Sequence, residues 1–173
     1  MPTTIEQNLE LDIVNPTNAN AYWTRQDNQS GYQGVYRFTN GVHPHSLMVF
    51  KGVIPPNINA SPNWNLVIHH AGQAAAGNAL VRVEVEILAS GDTPAAPIVI
   101  VANKLVGVGA SGDHNRTLLA GVAGVSNFDA VAPLVASAEI RINFMRAPNA
   151  SSGDNASANW DLKQPLILRC DVD

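Results

Sequence analysis

The sequence is short of charge. Asp, Glu, Lys and Arg together make up 14% of its 173 residues, where a globular chain usually carries about a quarter. The formal net charge is −4. There is no basic footprint for phosphates, so a nucleic-acid partner is excluded as a reading. The same balance argues against an anionic membrane surface. Cys170 is the single cysteine, so the chain forms no internal disulfide and does not belong to the disulfide-framework class. No apolar run approaches the length of a membrane-spanning helix. The start, Met1 to Gln7, has neither a basic region nor an apolar one, so synthesis in a host cytoplasm without a secretory leader is the expectation. Helix signals are sparse too. The stretch Arg116 to Val122, after Asp113, suggests one short helical turn, weakened by Gly121 and Gly124.

What the chain does have is apolar content, at 46%, and neutral polar residues, with Asn alone occurring 18 times. A chain of this length buries enough surface to fold as one domain without metal or disulfide support. A neutral polar surface suits packing against other protein. The five Asn-x-Ser/Thr triplets, starting at Asn28, Asn59, Asn115, Asn149 and Asn155, are chance products of that composition.

The dominant hydrophobic period is two. Val81, Val83, Val85 and Ile87 alternate with Arg82, Glu84 and Glu86, and Ile140, Ile142 and Phe144 alternate with Arg141 and Asn143. These are the two clearest strands, and their apolar sets are expected to share one core. Weaker strands are expected at 35–38, 47–53, 65–70, 97–101 and 166–170. Asn40-Gly41, Pro55-Pro56, Ser61-Pro62 and a small-residue stretch at 71–78 separate them. Leu9, Leu11 and Ile13 also alternate, ahead of the linker-like Asn15 to Asn20. The resulting architecture is all-β: an antiparallel β-sandwich of jelly-roll type, with about eight strands and little helix. Residues 1–20 are either an N-terminal arm or the first strand, and 21–173 are the sandwich. As an arm, Leu9, Leu11 and Ile13 would add to a neighbour's sheet edge and serve assembly.

Motifs for chemistry are weak. Gly107, Gly109 and Gly112 fit G-x-G-x-x-G, and Asp129 stands at a tolerable distance for a ribose carboxylate. No strand–helix–strand unit surrounds them, so an inter-strand loop is the plain reading and no nucleotide cofactor is expected. Of the histidines, His43 and His45 could share a face, His69 and His70 cannot on a regular strand, and His114 stands alone. No carboxylate or cysteine cluster completes a metal site. There is no G-x-S-x-G elbow, and Cys170 reads as a small core residue. Asp27, Asp92, Asp113, Asp129, Asp154 and Asp161 mostly fall in turn contexts. No catalytic, cofactor-binding or metal-binding residues are therefore assigned, and the chain is not expected to be an enzyme. Trp23, Trp64 and Trp160 with Tyr22, Tyr32 and Tyr36 would make a sugar-stacking platform if exposed, and core or interface filling if not.

Leu47 to Asn57, Trp64 to His70, Gly77 to Val85 and Glu139 to Arg146, followed by an Asn/Ser/Asp-rich loop and a closing strand, form an ordered series of strands and turns. Over roughly residues 35 to 173 this order resembles the jelly-roll head-decoration (cement) and fibre-associated structural proteins of tailed bacteriophages. Ile58 departs from it, standing where that family often has an aromatic. The resemblance implies a virion structural protein on the outer surface of an icosahedral head. Its partners would be the major capsid protein and its own copies, a trimer before a dimer. The alternative it implies is a receptor- or glycan-binding module of a fibre or tail.

Overall fold

The computed structural model describes residues 3–12, 21–25, 34–38, 46–60, 62–72, 77–108, 115–119, 128–146, 154 and 159–173. Among the described residues there are twelve strands and no helix. They are β1 (Thr3–Asn8), β2 (Glu10–Asp12), β3 (Ala21–Arg25), β4 (Gly34–Phe38), β5 (Ser46–Val53) and β6 (Trp64–Gly72). Then follow β7 (Gly77–Leu88), β8 (Ile98–Val108), β9 (Asn115–Leu119), β10 (Glu139–Arg146), β11 (Trp160–Leu162) and β12 (Ile167–Val172). All pair antiparallel, in a seven-stranded and a five-stranded sheet. This is the expected antiparallel sandwich of jelly-roll type.

The two alternating segments meet as the period requires. Ile140 stands opposite Ile87, Ile142 opposite Val85 and Phe144 opposite Val83 across β10 and β7. All of these are fully buried except Ile87, which packs partly buried against the same core. β5 and β8 flank this pair, and β2 adds beyond β5. In the facing sheet β6 is the hub. β9 runs along one of its edges, while β11 and β12 lie end to end along the other. β1 pairs with β12, and β4 with β11, so both arms of the sheet grow outward from that interrupted strand.

Between the sheets, Phe38, Phe144 and Trp160 pack with ring centroids 5.6 to 5.9 Å apart. Trp64 meets Phe128 edge-on at 4.9 Å. Such contacts are worth about 0.5–1.5 kcal/mol each beyond the apolar area they bury.

Two features depart from the sequence reading. The expected helical turn at 116–122 is strand over its described part, because Asn115–Leu119 lies along β6 with Leu119 buried in the core. The strand count is twelve rather than eight, since β3, β9 and β11 join and the N-terminal run divides. That division happens at Leu9. β1 belongs to one sheet and β2 to the other, and Leu9 plugs the crossing, fully buried, with its N–H donated to Leu166 O at 2.7 Å. The crossing needs a glycine beneath it: a Cβ at Gly52 would lie 2.6 Å from Leu9 Cδ2. The 1–20 segment is thus paired within its own sandwich over Thr3–Asp12. Leu11 stands opposite Phe50, and Ile13 lies outside the described residues.

Candidate functional site

The sequence-derived candidates scatter rather than gather. Gly107 and Val108 close β8, while Gly109 to Gly112 lie outside the described residues. Asp129 caps a turn, accepting the Leu134 N–H at 3.4 Å. His43, His45 and His114 are outside the described residues. Among the described residues no three His, Cys, Asp or Glu side chains come together as a metal site. Cys170 is buried, and burial pushes its thiol pKa up. Of the six aromatics, Trp64 and Trp160 are fully buried, because both stand at core-facing positions of their strands, and so serve as core filling; Tyr36 is partly buried, and Tyr32 lies outside the described residues.

His69 and His70 face opposite ways, and only His70 is buried. Trp160 Nε1 donates to His70 Nδ1 at 3.2 Å, and His70 Nε2 stands 2.8 Å from Thr117 Oγ1. An indole N–H only donates, so Nδ1 must be the bare nitrogen and the ring proton sits on Nε2. This ring serves packing and hydrogen bonding between three strands.

Two aspartates read as turn residues instead hold buried ion pairs. Asp161 is fully buried in β11 and takes Arg37 in a two-pronged contact, Nε to Oδ1 at 2.9 Å and Nη2 to Oδ2 at 3.0 Å. Lys163 lies beside that pair. Burial lowers its pKa, Asp161 opposes the shift and Arg37 adds to it. Asp154 grips Arg146 in the same manner at 2.9 and 3.1 Å, with both side chains almost wholly buried. The sequence signal for Arg146 was its phase, since it follows Ile140, Ile142 and Phe144 at the next core-facing position of β10.

The surface with the clearest capacity to act is one end of the sandwich. There β5 stops, the β7–β8 connection turns at Gly91 (φ 93°), and residues 128–138 cross over. Asp92 N donates to Ala89 O at 3.0 Å, so Gly91 takes the third place of a tight turn, where positive φ is needed. The crossing segment is firmly held. Phe128 N donates to Trp64 O at 2.9 Å, Trp64 Nε1 to Ala132 O at 2.9 Å, and Ser137 N to Ile54 O at 3.1 Å. Ser137 itself adopts φ 60°, a left-handed conformation costly for a residue with a side chain. Despite this ordering, the end displays apolar groups: Val53 is 57% exposed, Ile98 and Val135 45%, and Val131 43%. These are four of the six large hydrophobics exposed among the described residues. Between the β7–β8 hairpin and the crossing segment lies a cleft of about 320 Å³, lined by Val85, Ile87, Ile98, Ala132, Pro133 and Val135 among others. Single exposed apolar side chains are ordinary, but clustered ones mark contact surfaces.

No protein-family model matches the chain, and no curated protein matches it. Among solved structures, one similar chain is from the structure of infectious bursal disease virus Gx strain, at TM-score 0.49 and 9% identity over 99% of this chain. This chain spans only 32% of that one. A second is the family 11 carbohydrate-binding module from Clostridium thermocellum in complex with a beta-1,3-1,4-mixed-linked tetrasaccharide, at TM-score 0.41 and 8% identity, covering 93% of this chain and 95% of the other. A third is a structure of carbohydrate-binding modules from the β-sandwich super family, at TM-score 0.37 and 9% identity, covering 99% of this chain and 55% of the other.

Proposed function

We propose that the chain is a non-catalytic virion structural protein, a decoration or cement protein that binds the outer surface of an icosahedral phage head. The observation that carries its adhesive role is the apolar end: Ile98 and Val135 are exposed on the rim of one cleft, and Val53 and Val131 are exposed on the segments that meet at that end. The phage setting is supported by the resemblance of strand and turn order over residues 35 to 173. The partner is the major capsid protein, seated against the cleft. The copies act as a closed homo-oligomer, a trimer before a dimer, so that each weak contact is repeated and the repeats combine as avidity. Trp64 and Trp160 are buried and so offer no stacking surface to the glycan-binding alternative.

Sedimentation of tail-stripped, DNA-filled heads tests this reading. The wild-type chain should travel with heads. A Val131→Asp/Val135→Asp variant, changed only at exposed sites, should keep its melting temperature and lose the heads. A chain that leaves with the tails, or a variant that binds heads as well as wild type, would refute it.

A further inference from the structure

The cleft at the apolar end reaches into the β7–β8 hairpin itself. Successive strand side chains point to opposite faces, yet Val85, Glu86, Ile87 and Leu88 all line the cleft. A cavity touched by four successive residues lies along the edge of their strand, where β8 would otherwise run. Thr93, Ala95 and Ala96 stand across the gap. β8 begins only at Ile98, opposite Val85. Pro94 and Pro97, on the approach to it, have no N–H to give to a ladder.

In an antiparallel ladder the N–H and C=O of one residue point to the same side, and successive residues alternate sides. Two observations fix this phase for β7. Ala89 turns both groups toward the hairpin: its N–H donates to Asp92 Oδ2 at 2.9 Å, and its C=O accepts the Asp92 N–H at 3.0 Å. On the other side, Ala138 O accepts the Ile54 N–H at 2.9 Å. β10 therefore aims Ala138 and Ile140 at β5, and Glu139 and Arg141 at β7. Leu88 and Glu86, opposite Glu139 and Arg141, bond to β10. Ile87, between them, turns its N–H and C=O into the gap. Among the described residues neither group makes a main-chain bond to 89–97 or to the crossing segment. Ile87 is only partly buried, so an incoming group can reach it.

The gap is closed at one end by the Val85–Ile98 pair and at the other by the Ala89–Asp92 turn, so a strand cannot lie along it. An occupant must enter end-on and present an acceptor and a donor side by side. A carboxylate has no donor and would face Glu86 and Asp92. An ammonium or guanidinium has no acceptor, and would lose water against Ile98, Ala132, Pro133 and Val135. A hydroxyl has both functions on one atom, whereas the N–H and C=O of Ile87 lie on either side of its Cα. A carboxamide is neutral and carries the two functions on separate atoms. We propose that the cleft takes the side chain of an asparagine or glutamine from the partner. Its oxygen accepts the Ile87 N–H, its amide donates to the Ile87 C=O, and its aliphatic stem lies against Ile98 and Val135. This rests on the cleft being the seat of the partner, as proposed above.

Nuclear magnetic resonance of the whole chain provides the test, following the Ile87, Ala89 and Ile98 amides. In the free chain the Ile87 N–H should exchange with solvent at least tenfold faster than those of Glu86 and Leu88. Propionamide should then give saturating shifts at these amides, with an affinity of roughly 10–100 mM for so few atoms. Propionate and N,N-dimethylpropionamide, which lack the donor, should bind at least threefold more weakly. Ile87→Pro removes the N–H that faces the gap and should abolish propionamide binding. Ala96 is exposed, so Ala96→Phe, which fills the gap, makes the same check if the proline variant does not fold. An Ile87 N–H as protected as its neighbours, three probes acting alike, or propionamide shifts that survive in a folded variant would overturn the proposal. Failure of the wild-type chain to travel with heads would remove the seat proposed above; the titration uses no heads and still decides whether the cleft takes a carboxamide.

Discussion

The buried pair of Arg146 and Asp154 gives the sharpest test of how this sandwich is held. β10 ends at Arg146, opposite Val81 of β7, so the next residues of β7 have no β10 partner. Asp154 takes over there. Its Oδ2 accepts the Leu80 N–H at 2.9 Å while the carboxylate holds the Arg146 guanidinium. Both side chains are nearly inaccessible, at 0% and 2%. Asp154→Ala would take the carboxylate away from a buried guanidinium, a loss of about 3–5 kcal/mol. The orphaned Leu80 N–H adds about 1–3 kcal/mol where no water reaches it. Against a total stability of about 5–15 kcal/mol for a domain, such a variant stands near its folding limit. The double variant Arg146→Met/Asp154→Asn removes both charges, fills most of the volume and keeps an oxygen for Leu80. It should recover most of the loss, because a buried ion pair replaced as a unit is often neutral or better. Urea unfolding of the wild type, both single variants and the double variant gives the comparison. An Asp154→Ala variant within about 1 kcal/mol of wild type would refute the reasoning, since that is how a solvated pair behaves.

Two further outcomes are expected. His70 should be the Nε2–H tautomer, read from long-range proton–nitrogen spectra; an Nδ1–H ring would contradict the Trp160 bond. Asp171 has a folded pKa below its unfolded value of about 3.9, so its stabilising contribution is complete above that value and is lost as pH falls through the lower, folded one. Urea midpoints measured downward from about pH 6 should therefore drop more steeply in wild type than in Asp171→Asn; equal slopes would remove Asp171 from the acid response.

Periodicity reveals strands where one face is buried and the other wet, and that is why β7 and β10 were legible. It fails at β6, where every residue but His69 is buried, so the run shows no alternation. β9 escaped for another reason. Its five residues place only Leu119 in the core, too little pattern to outweigh a weak helical motif. Arg146 kept the inward phase of β10, but a charged residue at a core position looks like the end of a strand until its partner is seen. That partner, Asp154, lies within an Asn/Ser/Asp-rich stretch, where aspartate ordinarily serves turns.

The apolar end was hidden by a gap between sequence and space. Val131 and Val135 stand in an irregular segment with no period, so nothing local distinguishes a displayed valine from a buried one. The Thr4–Asp171 contact has no motif either, because the two residues are joined only by the register of β1 on β12. Abundant asparagine was a composition signal that pointed outward, toward a polar interface. In the fold, Asn57, Asn59 and Asn63 point their amides at the end of β12 instead, donating to Asp173 O, Asp173 Oδ1 and Asp171 Oδ2. Those amides are engaged within the chain, which leaves the exposed valines and isoleucine, rather than these three asparagines, as groups with more to gain from a partner.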